Sequence, residues 1–247
     1  MKQPDFTNLI ERLAEPELFD PSQMPVGRPY LHSSAKVMID ALLSLGVLPF
    51  TSIPTAIGAA AVRIVDHEKP VFRQTRLGYM ANPFVINKLR TMPGVPETTH
   101  SNGRHSDPRR SQLGRLLSLL RIDESPQLVN VAKREMSIIG PRPLVPLIFD
   151  DARHVVGSKE ADEWIKVRSL ALPGIFDEFS NAHHSYHVEG DEADQLRFRI
   201  ASESAYILEK ASVQEDLRIM GNTLGLFGST VMRHAVEIVG RTPSTGA

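Results

Sequence analysis

The feature that most constrains this chain is a run of 22 uncharged residues, 41–62, which is long enough to cross the hydrocarbon core of a bilayer. Pro49 and Pro54 lie inside it, and a proline within a helix removes a backbone hydrogen bond and clashes with the preceding turn. Three interpretations are open: a tilted, kinked membrane span, a re-entrant helical hairpin, or a buried helix of a soluble core. We favour the re-entrant hairpin, because the polar segments that could carry chemistry all lie downstream and the polar N-terminal arm has no reason to cross.

The remaining composition is that of an ordinary globular protein. Of the 247 residues, 41% are hydrophobic and 23% are charged, which excludes wholesale disorder. The 28 Lys and Arg against 29 Asp and Glu leave a net charge of −1, so nucleic acid is not an expected partner. The chain has no cysteine, which excludes disulfides and thiolate metal sites. The first 35 residues lack an apolar run, so we expect no secretory signal and a cytoplasmic location.

Hydrophobic periodicity predicts an α+β fold that is predominantly helical. A small β-hairpin is expected from residues 71–74 and 84–86, and a short helix from Pro126, capped by Ser125. Amphipathic helices near the end of the chain are expected to lie at a membrane interface. Further helices are predicted over 5–15, 113–120, 144–156, 161–169, 193–209 and 213–239. The predicted division is an N-terminal appendage (1–33), a re-entrant membrane helix (34–66), a catalytic domain (67–240) and a flexible tail (241–247).

Cationic side chains are concentrated just before an acidic pair. Between residues 104 and 121 there are five arginines and one acid, and Asp123-Glu124 follows directly; the arginines are Arg104, Arg109, Arg110, Arg115 and Arg121. A solvated basic face is the simplest interpretation. The functional alternative is a phosphate site, in which arginines neutralise the phosphate while a carboxylate attacks its phosphorus or binds a divalent ion. Adjacent carboxylates can divide these roles, because Mg²⁺ prefers oxygen ligands.

The run Gly140-Pro141-Arg142-Pro143 is a more specific signal. The two prolines fix φ on both sides of one arginine, and the glycine lets the backbone approach a ligand closely. A guanidinium presented so rigidly suits phosphate binding. A structural turn with an exposed arginine is the competing interpretation.

Four separate runs together resemble the bacterial sugar transferase family, the monotopic polyprenyl-phosphate phosphoglycosyl transferases. The runs are PVFRQTRLG at 70–78, KLRTM at 88–92, DESPQLVNV at 123–131 and MSIIGPRP at 136–143. Their order and spacing match the family, and the resemblance covers roughly residues 36–223.

The resemblance implies an enzyme on the cytoplasmic face of a bacterial inner membrane. Such an enzyme transfers a sugar-1-phosphate from a UDP-sugar to undecaprenyl phosphate and releases UMP, which initiates assembly of an exopolysaccharide, capsule or glycoconjugate. Membrane lipids are then a further partner. The resemblance makes Asp123 the nucleophile that forms a covalent phospho-sugar intermediate, with Glu124 assisting. The implied cofactor is Mg²⁺, with Asp123, Glu124 and Glu203 as ligands.

The resemblance also implies a substrate-binding set and a break in the membrane helix. The break corresponds to Pro54, in agreement with the interpretation of the apolar run. The implied substrate-binding residues are Lys88, Arg90, Arg115, Arg121, Pro141, Arg142, Pro143 and Arg168.

Departures from the family pattern leave a second hypothesis. Ser118 stands where a basic residue is common, and Phe176-Asp177 replaces Thr-Gly. A catalytically impaired, membrane-bound scaffold or regulator of glycan assembly is therefore the alternative function. A soluble nucleotide-sugar binder is a third, and it requires residues 41–62 to be buried. We favour the enzyme, because the acidic pair and its cationic partners are retained.

Other features of the sequence decide less. The histidine-rich stretch 183–191 lacks a defined ligand spacing, so a zinc site is not predicted there. The sequence identifies neither the sugar nor the glycan pathway. It neither indicates nor excludes a homo-oligomer.

Overall fold

A computed structural model describes residues 24–96, 107–181 and 191–240, with side chains up to residue 233. The predicted helix over 5–15, Arg104, the histidine-rich stretch 183–190 and the tail 241–247 lie outside these residues. Within them, the fold is mostly helical with a small β-hairpin, as predicted.

The described residues form 3₁₀ and π-helical turns, short strands and helices. Three 3₁₀ turns occupy Pro29–His32, Tyr79–Ala81 and Ile122–Glu124, and a π-helical turn occupies Tyr206–Lys210. The strands are β1 (Val71–Leu77), β2 (Pro83–Leu89), β3 (Ser137–Ile139) and β4 (Gly174–Phe176). The helices are α1 (Ser34–Val65), α2 (Gln112–Leu119), α3 (Gln127–Ala132), α4 (Leu147–Val156), α5 (Ser158–Ser169), α6 (Glu192–Ala205) and α7 (Val213–Gly240).

Two small sheets lie in the part of the chain that follows α1. Strands β1 and β2 form the predicted antiparallel hairpin, in the register Val71 opposite Leu89. Strands β3 and β4 form a parallel pair that the sequence analysis did not predict. Each of these two strands has only three residues, which is too short for an alternating pattern to stand out.

Local hydrogen bonds move two predicted helix starts. The helix predicted from residue 144 begins at Leu147, because the carbonyl of Leu144 accepts from Leu77 and so extends the β1 edge. Ser125 does not cap α3, which begins at Gln127; its hydroxyl donates instead to the carbonyl of Ile122. The cap prediction was therefore wrong, and the serine closes the preceding 3₁₀ turn.

Helix α1 is continuous through both prolines. Ser33 caps it by accepting from the backbone N–H of Lys36, and the helix ends at Val65. The hydroxyls of Thr51 and Ser52 donate to carbonyls of the same helix near the prolines. The structure therefore contains no non-helical break at Pro54, and the re-entrant course of this segment stays a prediction.

The two faces of α1 have an inverted polarity. Five residues face the rest of the protein and are buried: Lys36, Asp40, Ser44, Gly58 and Val62. Large apolar side chains point outward, led by Phe50, which is 81% exposed. Among the described residues, α1 is the one helix long and apolar enough to cross a membrane, and 11% of its most apolar window is buried. This exposure contradicts the third interpretation, a buried helix of a soluble core.

Candidate active site

The acidic pair lies on a buried 3₁₀ turn, Ile122–Glu124, between α2 and α3. The chain enters this turn through Arg121, whose φ of 57° is left-handed and reverses the backbone after α2. Helix α1 packs against this turn. Gly58 lies against the side chain of Ile122, and the hydroxyls of Thr55 and Ser125 are 2.5 Å apart. We call residues 121–125 the catalytic turn.

Asp123 is 2% exposed and has one oxygen without a partner. Its Oδ2 lies 3.7 Å from Nζ of Lys88, which projects from β2. Its Oδ1 is buried and accepts no hydrogen bond from the described residues. Burial raises the pKa of Asp123, and the positive charge of Lys88 opposes that rise. A buried, unpaired carboxylate oxygen is costly and is a typical mark of a functional site.

Glu124 is held in the opposite state. Its Oε2 lies 2.8 Å from Nη1 of Arg121, and its Oε1 lies 3.3 Å from Nη2 of Arg142. Burial by itself would raise the pKa of Glu124, but the charges of Arg142, Arg121 and Lys88 lower it to about 2. The adjacent carboxylates therefore differ: Glu124 is ionised and paired, whereas Asp123 retains a free oxygen for chemistry.

The loop Gly140–Pro143 presents Arg142 to the catalytic turn. The guanidinium of Arg142 lies between Glu124 and Asp177, whose Oδ2 is 4.0 Å from Nη1. A Cβ atom at Gly140 would overlap the carbonyl oxygen of Leu172, so glycine is required where β3 passes β4. The side chain of Arg142 remains about one-third exposed, at 34%, so it can still reach a ligand.

Arg168 holds this loop in place from the interior of the protein. Its Nη2 donates to the carbonyl of Arg142, and its Nη1 pairs with Glu203. Glu203 also accepts from Nε1 of Trp164 and from Nε of Arg199. Because both oxygens of Glu203 are already bonded, its contacts do not favour the predicted metal-ligand role. Arg168 acts on the backbone of the loop, and Pro141 and Pro143 hold the loop around Arg142.

Two of the predicted anion-binding arginines are not brought to the acidic pair. Arg90 is buried, and its guanidinium donates to the carbonyls of Lys69 and Val95. It therefore holds two loops together. Arg115 is exposed on α2. Their predicted roles in substrate binding find no support in these contacts.

The acidic pair is the place where the described residues could hold Mg²⁺. No group of three or more His, Asp or Glu side chains suited to a metal occurs in the described parts of the chain. Mg²⁺ is commonly bound by one or two carboxylates together with substrate phosphates. The Oδ1 atom of Asp123, which has no partner among the described residues, fits such a shared site, in which the substrate completes the coordination. Both oxygens of Glu124 are already paired with arginines, so its contacts favour a metal-ligand role no more than those of Glu203 do.

Two residues near the site, Arg76 and Asp177, were missed as site residues, and Arg110 was named only as part of the run of arginines before the acidic pair. Arg76, on β1, donates from Nη1 to the carbonyl of Pro143, 3.0 Å away. Burial and the neighbouring charge of Arg142 lower the pKa of Arg76 to about 9. Asp177 touches Arg142, and Arg110 is buried near the catalytic turn. The sequence did contain one signal that could have identified Arg76. This residue lies in one of the family-like runs, on a strand in which neighbouring side chains face the core.

The site is thus an acidic pair on a buried turn, beside an arginine framed by two prolines and next to a helix whose outward face is apolar. The chain belongs to the bacterial sugar transferase family, whose model matches residues 31–229. This family is membrane-associated.

Several curated relatives are similar to this chain. A UDP-glucose:undecaprenyl-phosphate glucose-1-phosphate transferase of Escherichia coli is 28% identical over 73% of the chain and 37% of its own length. A UDP-N-acetylgalactosamine-undecaprenyl-phosphate N-acetylgalactosaminephosphotransferase of Aeromonas hydrophila is 29% identical over 78% of the chain and 44% of its own length. An exopolysaccharide production protein of Rhizobium meliloti is 30% identical over 54% of the chain and 66% of its own length. The first relatives are matched over 33% to 54% of their length, so the chain spans about half of them or less.

Proposed function

We propose that this protein transfers a sugar-1-phosphate from a UDP-sugar to undecaprenyl phosphate, with Asp123 as the nucleophile. The observation that carries the proposal is the buried carboxylate of Asp123, which has one unpaired oxygen and lies 3.7 Å from Lys88. Family membership and the names of the relatives support the general reaction.

The proposed reaction has two displacement steps at one phosphorus. In the first, a carboxylate oxygen of Asp123 attacks the phosphorus that bears the sugar. The bond from this phosphorus to the bridging oxygen breaks, and UMP leaves with the electron pair. In the second, a phosphate oxygen of the lipid attacks the same phosphorus, the bond to Asp123 breaks and the carboxylate is regenerated. Neither step requires an oxidant or a reductant.

The cations around the turn would make the first step feasible. A carboxylate is a weak nucleophile towards an anionic diphosphate, so the negative charges must be screened. Lys88 lies beside Asp123, and Arg142 is presented by the loop that Arg76 and Arg168 support. Bound Mg²⁺, which Asp123 and the diphosphate could hold, would supply further neutralisation of the leaving UMP.

We further propose a monotopic placement on the cytoplasmic face of the inner membrane. Near the start of α1, Asp40 accepts from the backbone of Ile138, and near its end Val62 packs against Leu89 and Leu117. Both ends therefore touch the domain that carries the catalytic turn. Contact of both ends with one domain supports a re-entrant or in-plane course for this helix. UDP-sugars are cytoplasmic, so the site would face the cytoplasm.

The test is UMP release by the full chain in detergent. The protein receives a panel of UDP-sugars, undecaprenyl phosphate and Mg²⁺. We expect turnover that requires the lipid, with Asp123→Asn lowering kcat by about a thousandfold or more because the covalent bond cannot form. The control is Asp151→Asn, which changes an exposed acid on α4 and should leave the rate within about twofold.

Each outcome decides something. Undiminished turnover by Asp123→Asn would exclude the covalent mechanism. Silence of the folded, membrane-bound protein across the whole panel would favour the scaffold or regulatory function instead.

A further inference from the structure

Arg110 is a buried arginine that the proposed mechanism does not use. It is 6% exposed and lies just before Ser111, the residue that caps α2. Its Nη1 makes a single long hydrogen bond, of 3.5 Å, to Oγ1 of Thr91. Its Nε is buried and finds no acceptor in the parts of the chain that the structure describes.

The position of Arg110 is fixed against the strand that carries Lys88. Thr91 lies two residues after the end of β2, and the backbone N–H of Ser111 donates to its carbonyl at 3.3 Å. A Cβ atom at Gly114 would overlap that same carbonyl, so the first turn of α2 is in direct contact with Thr91. The guanidinium of Arg110 is therefore held near the end of β2, at Thr91, three residues along the chain from Lys88.

The charges of Arg110 and the acidic pair act on each other. Burial lowers the pKa of the Arg110 guanidinium, and the carboxylate of Asp123 is the strongest of the charges that oppose this lowering. Arg110 in turn helps to hold down the pKa of Asp123, after Lys88. The charges of the two groups therefore influence each other, and no hydrogen bond joins them among the described residues.

Two buried atoms of complementary type lack partners among the described residues. Oδ1 of Asp123 is an acceptor, and Nε of Arg110 is a donor. The adjacent Arg109 is different: it is exposed, and its Nε and Nη2 donate to Asp107 at 2.9 and 2.6 Å. Of two consecutive arginines, one is neutralised by a local acid and the other retains a buried donor. A polar group left unpaired in a folded protein is commonly satisfied by a ligand.

We propose that Arg110 is a further catalytic residue, whose guanidinium donates hydrogen bonds to phosphoryl oxygens of the nucleotide-sugar diphosphate at the phosphorus that Asp123 attacks. This inference rests on the proposed function. The planar guanidinium suits phosphate oxygens, and it transfers no proton during the step. A preorganised donor of this kind stabilises charge that develops as the leaving group departs.

The kinetic test compares neighbouring arginines. Arg110→Gln should lower kcat for UMP release by about a hundredfold, the usual effect of removing one donor to a developing anion. Arg110→Lys keeps the charge but loses Nε, and it should recover only part of that rate. Arg109→Gln is the matched control and should stay within about twofold of the unchanged protein. Wild-type kcat and KM in Arg110→Gln would overturn the inference.

A binding measurement separates this inference from the proposed function. Calorimetric titration with inorganic pyrophosphate and Mg²⁺ needs no turnover, and Arg110→Gln should weaken the affinity by about tenfold relative to Arg109→Gln. Thermal unfolding checks that each variant is folded, and Arg110→Lys replaces Arg110→Gln if the latter is not. Weakened binding without turnover in the unchanged protein would retain the anion site and reject the transferase. Equal pyrophosphate affinity in the two arginine variants would reject the role of Arg110.

Discussion

Lys88 is the side chain that most directly opposes the burial of Asp123. Burial raises the pKa of the Asp123 carboxyl, and the ammonium group 3.7 Å away favours the ionised form. Asp123 must be ionised to attack, so activity should be lost as the pH falls through this raised pKa. Lys88→Met removes the favourable charge, so the acidic limb of the pH profile of kcat/KM should move to higher pH.

The pH profile of UMP release checks this prediction. At neutral pH, kcat/KM of Lys88→Met should fall by roughly tenfold to a hundredfold, because Asp123 is less ionised and the substrate loses a cation. The control is Lys69→Met, which removes the charge of an exposed lysine just before β1. An acidic limb at the same pH in both variants would show that Lys88 does not act on Asp123.

Sequence reasoning reached the residues whose spacing is informative and missed those that depend on burial. Asp123, Glu124, Lys88 and Arg142 were selected together, and the structure brings them together, although their roles stay predictions. The run of arginines could not be divided in the same way. A sequence does not show that Arg90 binds loop carbonyls, or that Arg110 is buried while its neighbour pairs with an acid.

Among the elements, α1 makes the contact that most directly joins the apolar surface to the catalytic turn. The hydroxyl of Thr55 lies 2.5 Å from that of Ser125, which follows Glu124. Thr55→Val preserves the shape of the side chain and removes this bond, so we expect kcat to fall about fivefold, the equivalent of ~1 kcal/mol, with KM for the UDP-sugar little changed. Thr55→Ser should restore the rate.

The control for this contact lies one turn earlier. The hydroxyl of Thr51 donates to carbonyls of its own helix, those of Val47 and Leu48. Thr51→Val therefore removes a hydroxyl from α1 without touching the catalytic turn. Equal rates for Thr51→Val and Thr55→Val in the UMP assay would mean that α1 does not position the nucleophile.

The elements also differ in how far their sequences predict them. Helix α7 has a clear period over 28 residues and was predicted close to its observed bounds. The hairpin was predicted at the right place, but each of its strands continues three residues beyond its predicted end. The pair β3–β4 depends on the close approach of Gly140 and Gly174. Strands of only three residues have no sequence pattern from which this approach could be predicted. In α1, the prolines predicted a break, but threonine and serine hydroxyls bond the carbonyls nearby and the helix continues.

At the scale of the whole molecule, buried charges join the first and last described helices. The ammonium of Lys36 lies 2.6 Å from Oδ2 of Asp216 on α7 and donates to the carbonyl of Ile139. The hydroxyls of Tyr30 and Tyr206 donate to the same aspartate. These charged groups face the interior of the protein, whereas the large side chains on the outward face of α1 are apolar. The molecule can therefore place that surface in lipid while its polar network stays within the protein.

This arrangement predicts where the ends of α1 lie relative to the bilayer. Both ends contact the same domain, so both should be accessible from the cytoplasm, and the middle should be covered by lipid. The chain has no cysteine, so single cysteines report position without a background. Ala35→Cys and Lys69→Cys place thiols at exposed positions next to the two ends, and Phe50→Cys places one on the apolar face.

A membrane-impermeant thiol reagent distinguishes the topologies. In inverted inner-membrane vesicles, Ala35→Cys and Lys69→Cys should both react, whereas in spheroplasts neither should. Phe50→Cys should react only after detergent is added, because lipid covers the apolar face of α1. Labelling of the two end positions from opposite sides would establish a transmembrane helix and reject the monotopic placement. Reaction of Phe50→Cys without detergent would show instead that this face is not embedded in lipid.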